Sequence, residues 1–163
     1  MKSAEREHVT LTVNGTAHVV AVDDATPLLD VLRHQLGLKG SRFGCGLEQC
    51  GGCMVLVDGE AVPSCARAAA TFAGRAITTV EGLGTADAPH PLQLAFLAEQ
   101  AGQCGYCLSG ILISAKALLD RNPDPSRDEI AAALDPNLCR CGAHARIIRA
   151  VGRAAAQMRG AVA

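Results

Sequence analysis

Apolar and polar residues alternate near the start of the chain. In "HVTLTVNGTAHVVAV", Val9, Leu11 and Val13 fall on one face, and Asn14-Gly15 supplies the pair that a tight hairpin turn requires. The period then lengthens. "TPLLDVLRHQLG" reads as a helix with Thr26 as N-cap and Pro27 at the first helical position. Leu28, Leu32 and Leu36 share a face before Gly37 ends it. After a glycine-rich loop, Met54 to Val57 reads as a strand turning at Asp58-Gly59, and "AITTV" at 76–80 as a last strand.

From "EGLGTADAPHP", residues 81–91, the pattern changes, and this Gly-, Pro- and Ala-rich stretch is the expected linker. Every periodic segment beyond it is helical. Leu92 to Ala101 is one helix, and Leu108 to Leu119 is another, stopped before "NPDP". Ser126 with Glu129 three residues on is a capping box opening a third, and Ala145 to Met158 makes a fourth. The expected fold class is α+β. An N-terminal β-grasp domain covers 1–80, the linker 81–91, and a C-terminal four-helix bundle domain 92–163.

Composition narrows the function. The 163 residues are 49% hydrophobic and 19% charged, enough apolar material for packed cores. A net charge of -1, no Lys/Arg run, one Tyr and three Phe leave neither the basic footprint nor the stacking platform of a nucleic-acid binder. No apolar run approaches the ~18 residues that would span a bilayer. The opening "MKSAEREHVTLTV" is charged and runs into strand pattern, so no signal peptide is expected. The location expected is cytoplasmic, with any membrane association arising through a complex.

Eight cysteines then become the main question. A reducing compartment disfavours disulfides, and the spacings are those of ligands. Cys45-x4-Cys50-x2-Cys53, closed by Cys65, is the plant-type spacing for a [2Fe–2S] cluster. It sits in "FGCGLEQCGGC", where Gly44, Gly46, Gly51 and Gly52 allow backbone N–H groups to approach an anionic cluster and supply positive φ angles. Zinc sites present two short Cys pairs more often than an x4–x2 run. The second set, Cys104 and Cys107 in "QCGYC" with Cys139 and Cys141 in "CRC", is by itself open between zinc, iron–sulfur and a redox dithiol. Each pair lies at a helix terminus, a setting that favours an anionic group.

Taken in order, "FGCGLEQCGGC", Cys65, "QCGYC" and "CRCG" resemble the small iron–sulfur subunit of the molybdenum hydroxylases, the xanthine oxidase family, over about residues 8 to 155. "ITTVEGLG", "APHP", "AKALLDR" and "NLCRCGAH" are similar to its nicotinate dehydrogenase and isoquinoline 1-oxidoreductase branch. Leu108-Ser109 stands where many members read Thr-Pro. The resemblance implies a ferredoxin-like domain followed by a helical one, holding two [2Fe–2S] clusters. It implies electron transfer for a large subunit that holds molybdopterin cytosine dinucleotide and hydroxylates nicotinate or a similar N-heteroaromatic. The helical cluster would be proximal to molybdenum, and the other would pass electrons to a cytochrome c or FAD component. It also implies that Gln103 and Cys141 lie beside the pterin. The same role for an aldehyde, purine or carbon monoxide enzyme is a competing reading. A free-standing ferredoxin and a zinc-stabilised interaction module are others.

The remaining polar residues receive ordinary readings. His34 and His90 are read as solvated, and Lys39 as loop surface. His144 follows a set already completed by four thiolates. Arg140 either offsets cluster charge or bonds a carbonyl near a helix end. No GxGxxG follows a strand, so flavin and nicotinamide belong elsewhere.

Overall fold

The first hairpin shows why the amino-terminal half becomes a sheet. In the computed structural model, which describes residues 6–160, β1 (Glu7–Val13) pairs antiparallel with β2 (Thr16–Val22), Leu11 opposite His18 and Val13 opposite Thr16. Leu11, Val13, Val20 and Val22 are buried on one face, as the alternation requires. Asn14 and Gly15 both take left-handed backbone angles, φ 50° and 78°, which a two-residue turn of this twist needs. The outer ends of the two expected domains, 1–5 and 161–163, lie outside the described residues.

The first helix departs from expectation at its start and in its winding. Pro27, not Thr26, is the N-cap of α1 (Leu28–Asp30). Thr26 instead donates its hydroxyl to Asp23 Oδ1 at 2.7 Å, while its carbonyl accepts from Ala69. The same oxygen accepts the Asp23 N–H at 3.1 Å, so Asp23 engages the hydroxyl both ways and draws it from the helix end. Beyond Asp30 the chain widens into a π turn, Val31–Gln35, with the Leu36 N–H reaching back to the Val31 carbonyl at 3.0 Å. Leu28, Val31 and Leu32 still pack on the sheet with Leu11, Val13 and Ile77. Arg33 then donates to the carbonyls of Lys39 and Ser41, both at 2.8 Å, steering the chain towards the cysteine loop.

β3 (Met54–Val57), β4 (Glu60–Pro63) and β5 (Ala76–Thr78) complete a five-stranded sheet among the described residues, in the order β2-β1-β5-β3-β4. β1 and β5 run parallel and the other pairs antiparallel. β5 stops two residues short of the expected strand. Thr79 is taken by the Asn14 side chain, which accepts its N–H at 2.9 Å, and Val80–Gly82 turns as a 3-10 helix.

β3 is buried on both faces. Val55 and Val57 join the α1 side, whereas Met54 and Leu56 meet Ile113 and Ala117 of α3 (Leu108–Arg121). The two halves therefore share a core; burying a side chain like Ile113 contributes about 1.5–3 kcal/mol. With α3, the helices α2 (Pro91–Ala98), α4 (Arg127–Leu134) and α5 (His144–Gly160) make four helices among the described residues of the carboxy-terminal half. They enclose Leu92, Phe96, Ile111, Ile130, Ile147 and Val151. Ser126 and Glu129 form the expected capping box at α4. His90, read as solvated, is a second cap. Its Nδ1 accepts the Leu92 N–H at 3.1 Å, and its own N–H donates to Gln93 Oε1 at 2.8 Å. Among the described residues no helix is long and apolar enough to cross a membrane.

Candidate metal centre

The first cysteine set is gathered by a loop closed at its base, where the Arg42 N–H donates to the Gly52 carbonyl at 2.9 Å. Two of its glycines, Gly46 and Gly51, take left-handed angles of 68° and 69°. Gly44 serves by close approach instead, since a Cβ there would lie 2.6 Å from the Cys50 sulfur. The loop wraps its first thiol. Leu47 and Gln49 donate backbone N–H groups to Cys45 Sγ at 3.3 and 3.2 Å, and Cys45 donates its own to Cys50 Sγ at 3.4 Å. The N–H of Leu47, then that of Gln49, hold the Cys45 thiol down to about 7.

Cys53 and Cys65 form the inner half of the set, buried against Leu29 of α1. Ser64 fixes them by donating its hydroxyl to the Cys53 carbonyl at 2.7 Å while its own carbonyl accepts from Leu29. Burial pushes the Cys53 thiol up to about 11, with the Cys65 thiol lying against it. The set thus combines a Cys45 thiol that ionises readily with a Cys53 thiol that resists charge, and a bound cation would supply the missing compensation.

The second set comes from two turns, each leading into a helix. Cys104 precedes Gly105, at φ 80°, and Cys107 is the N-cap residue of α3. Cys139 and Cys141 precede Gly142, at φ 72°, just before α5. The thiols meet across the turns, Cys104 against Cys141 and Cys107 against Cys139. The N–H of Tyr106 lowers the Cys104 thiol, whereas burial pushes Cys107 up to about 12. All eight cysteines are free thiols. Among the described residues no three His, Cys, Asp or Glu side chains converge as they would on a single metal ion. Two opposed pairs suit a two-iron unit, in which each iron takes two thiolates.

A cavity of about 360 Å³ lies between the sets, lined by Cys45 and Cys50 from one and by Cys104 and Cys107 from the other. Along its seam Leu138 donates its N–H to the Cys50 carbonyl at 3.0 Å, and Asn137 Nδ2 donates to the Gly51 carbonyl at 3.4 Å. Gly110, in the first turn of α3, lets the helix lie flush on the loop, because a Cβ there would sit 1.9 Å from the Gly51 carbonyl oxygen. Tyr106 crosses the same seam, donating its hydroxyl to the Phe43 carbonyl. Sequence reasoning passes over Asn137, Gly110 and Tyr106. Only Gly110, a glycine inside a helical pattern, carries a signal.

Gln103 lies in the turn before Cys104 and donates its side-chain N–H to the Cys141 carbonyl at 3.3 Å. His34, Lys39, Arg140 and His144 are all on the surface, with His144 the first residue of α5.

Residues 11–76 match the 2Fe-2S iron-sulfur cluster binding domain family, and residues 79–152 match the [2Fe-2S] binding domain family. The chain is 54% identical over 147 residues to a nicotinate dehydrogenase subunit of Pseudomonas putida, covering 90% of this chain and 94% of that protein. It is 50% identical over 137 residues to the alpha subunit of isoquinoline 1-oxidoreductase from Brevundimonas diminuta, covering 84% and 90%. It is also similar to the crystal structure of quinoline 2-oxidoreductase from Pseudomonas putida 86, with a TM-score of 0.91 and 37% identity over 96% of this chain and 98% of that one.

Proposed function

The chain belongs to the iron–sulfur electron-transfer subunits of the molybdenum hydroxylases, the xanthine oxidase family, and we propose that each of its cysteine sets holds one [2Fe–2S] cluster. Cys45 with Cys50, and Cys53 with Cys65, are the ligand pairs of the first. Cys104 with Cys141, and Cys107 with Cys139, are those of the second. The observation that carries this reading is the opposed pairing of thiols in both sets, on either side of one cavity. When bound, the clusters supply one-electron carriage from molybdopterin cytosine dinucleotide in a large subunit to an external acceptor.

This chain's own residues hold, space and orient. The N–H groups of Leu47 and Gln49 favour the thiolate form of Cys45. The bond from the Leu138 N–H to the Cys50 carbonyl links a ligand of the first set to the neighbour of Cys139, a ligand of the second. Gln103 and Cys141, joined by the amide contact, are the proposed contacts with the pterin, which makes the second cluster the proximal one. Leu94 and Leu97, 47% and 74% exposed, give the helical half an apolar surface that supports a partner subunit over a free-standing carrier. The names of the relatives support nicotinate or a similar N-heteroaromatic as substrate. The acceptor is a cytochrome c or FAD component of the complex, a reading supported by the similarity to a nicotinate dehydrogenase subunit together with the lack of a nucleotide fingerprint in this chain.

The test is metal and cofactor analysis of the purified complex with EPR of its reduced form. Two irons per cysteine set and two distinct spin-half signals are expected. Stoichiometric zinc, or one signal throughout reduction, rejects the reading.

A further inference from the structure

We propose that Tyr106 is a positioning residue that fixes the separation of the two centres, an inference that rests on the cluster reading above. Tyr106 stands between Cys104 and Cys107, and its backbone N–H is directed at the Cys104 thiol. Its side chain leaves the helical half altogether. The hydroxyl donates to the carbonyl of Phe43, two residues before Cys45. The guanidinium of Arg42 covers the ring, with Cζ 5.2 Å from the ring centroid. One residue therefore touches a thiol of the second set and the backbone leading into the first.

The cysteine loop has two stems, and they are held differently. Its second stem is tied at Cys50 and Gly51 by backbone and amide bonds from Leu138 and Asn137. Across the same seam, Tyr106 bonds the first stem, which carries Phe43 towards Cys45. Tyr106 is 49% exposed, so water could satisfy the phenol without this contact. Its value is geometric. With the second stem still docked, loss of the hydroxyl leaves the two halves joined but lets the Cys45 side of the loop drift from the second centre. Transfer between fixed centres falls steeply with their gap, so that drift acts on function without touching a ligand.

The experiment compares Tyr106→Phe and Tyr106→Leu with the unmodified protein in the assembled complex. Iron content and visible absorbance are measured first, then magnetic interaction between the two reduced centres and amide exchange over residues 43–47. Tyr106→Phe should keep both clusters yet exchange the 43–47 amides roughly two- to tenfold faster, the population equivalent of one net hydrogen bond. The Leu138 amide should not change, and the magnetic interaction should weaken. Tyr106→Leu, which also removes the ring beneath Arg42, should do both more strongly. Unchanged exchange and unchanged interaction in Tyr106→Phe, with both clusters present, overturn the proposal and leave the cluster reading intact. Zinc in the unmodified protein overturns the cluster reading, and the spacing role with it.

Discussion

In the amino-terminal half, three of the four thiols lie in one loop from Cys45 to Cys53, and Cys65 is brought in beside them by Ser64. In the helical half, each pair lies in its own turn, and the turns are brought together by a core shared among the helices, including Ile111, Ile147 and Val151, and by the Gln103 amide bond to the Cys141 carbonyl. The first set is shaped by local backbone, namely left-handed glycines and amide bonds to Cys45. The second depends on tertiary structure. Damage to a loop residue should therefore stay in the loop, whereas damage to helix contacts should reach Cys104, Cys107, Cys139 and Cys141 from a distance.

The strongest way to break that comparison is to remove one ligand from each set. Cys45→Ser should lose the first cluster and leave the second able to accept electrons from the large subunit, so turnover with the external acceptor falls to background. Cys107→Ser should lose the second cluster and stop transfer beside molybdenum. Because a bound cluster would tie the start of α3, at Cys107, to Cys139 in the turn before α5, its loss should lower the unfolding temperature of the helical half as well. EPR of the substrate-reduced complex reads the first difference, and calorimetry the second. Loss of the helical signal in Cys45→Ser, with the other spared, reverses the assignment.

Gly110→Ala is the next largest effect and tests where the two halves meet. In an ordinary helix interior this change stabilises by up to ~1 kcal/mol. Here the new Cβ would lie 1.9 Å from the Gly51 carbonyl oxygen, which is backbone and cannot swing away. The expected result is a destabilisation of about 1–3 kcal/mol, opposite in sign to propensity. Denaturant unfolding measures it. A neutral or stabilising result means that α3 does not rest on the cysteine loop.

What could be read in advance follows the same division. The hairpin at Asn14-Gly15, the α4 capping box at Ser126 and the plant-type spacing are local signals, and each is visible in a few adjacent letters. The expected N-cap at Thr26 fails because Asp23 competes for its hydroxyl, and no propensity ranks that contest. The π turn at Val31–Gln35 has no signal in the spacing of Leu28, Leu32 and Leu36, which fits an ordinary helix. His90 caps α2 through neighbours two and three residues on, a local box hidden because histidine is not a usual N-cap, whereas Asn137 and Tyr106 act across the seam through contacts made only once the chain is folded. Part of the site was legible because ligand spacing is local, but the seam between the sets was not.

The smallest effect sharpens the comparison from the far side of the helical half. His90 caps α2 only while Nδ1 keeps its lone pair for the Leu92 N–H. Burial is the main cause that lowers the His90 pKa below its ordinary 6.5; Lys116 on α3 lowers it further and Asp120, also on α3, opposes that. With a depressed folded value, the unfolded chain takes up the proton first as pH falls. The cap's contribution is therefore complete above 6.5 and declines as pH drops towards the folded pKa. His90→Ala should cost about 0.5–2 kcal/mol near neutral pH, whereas His90→Asn keeps an acceptor and should cost far less. Between about pH 7 and pH 5, thermal unfolding should bring the unmodified protein closer to His90→Ala, while His90→Asn lacks that component. Amide exchange then separates the regions. In His90→Ala it should rise in α2 and in the turns holding Cys104 and Cys141, leaving Leu47 and Gln49 unchanged. Equal loosening of both cysteine sets would mean that the amino-terminal loop is not held locally after all.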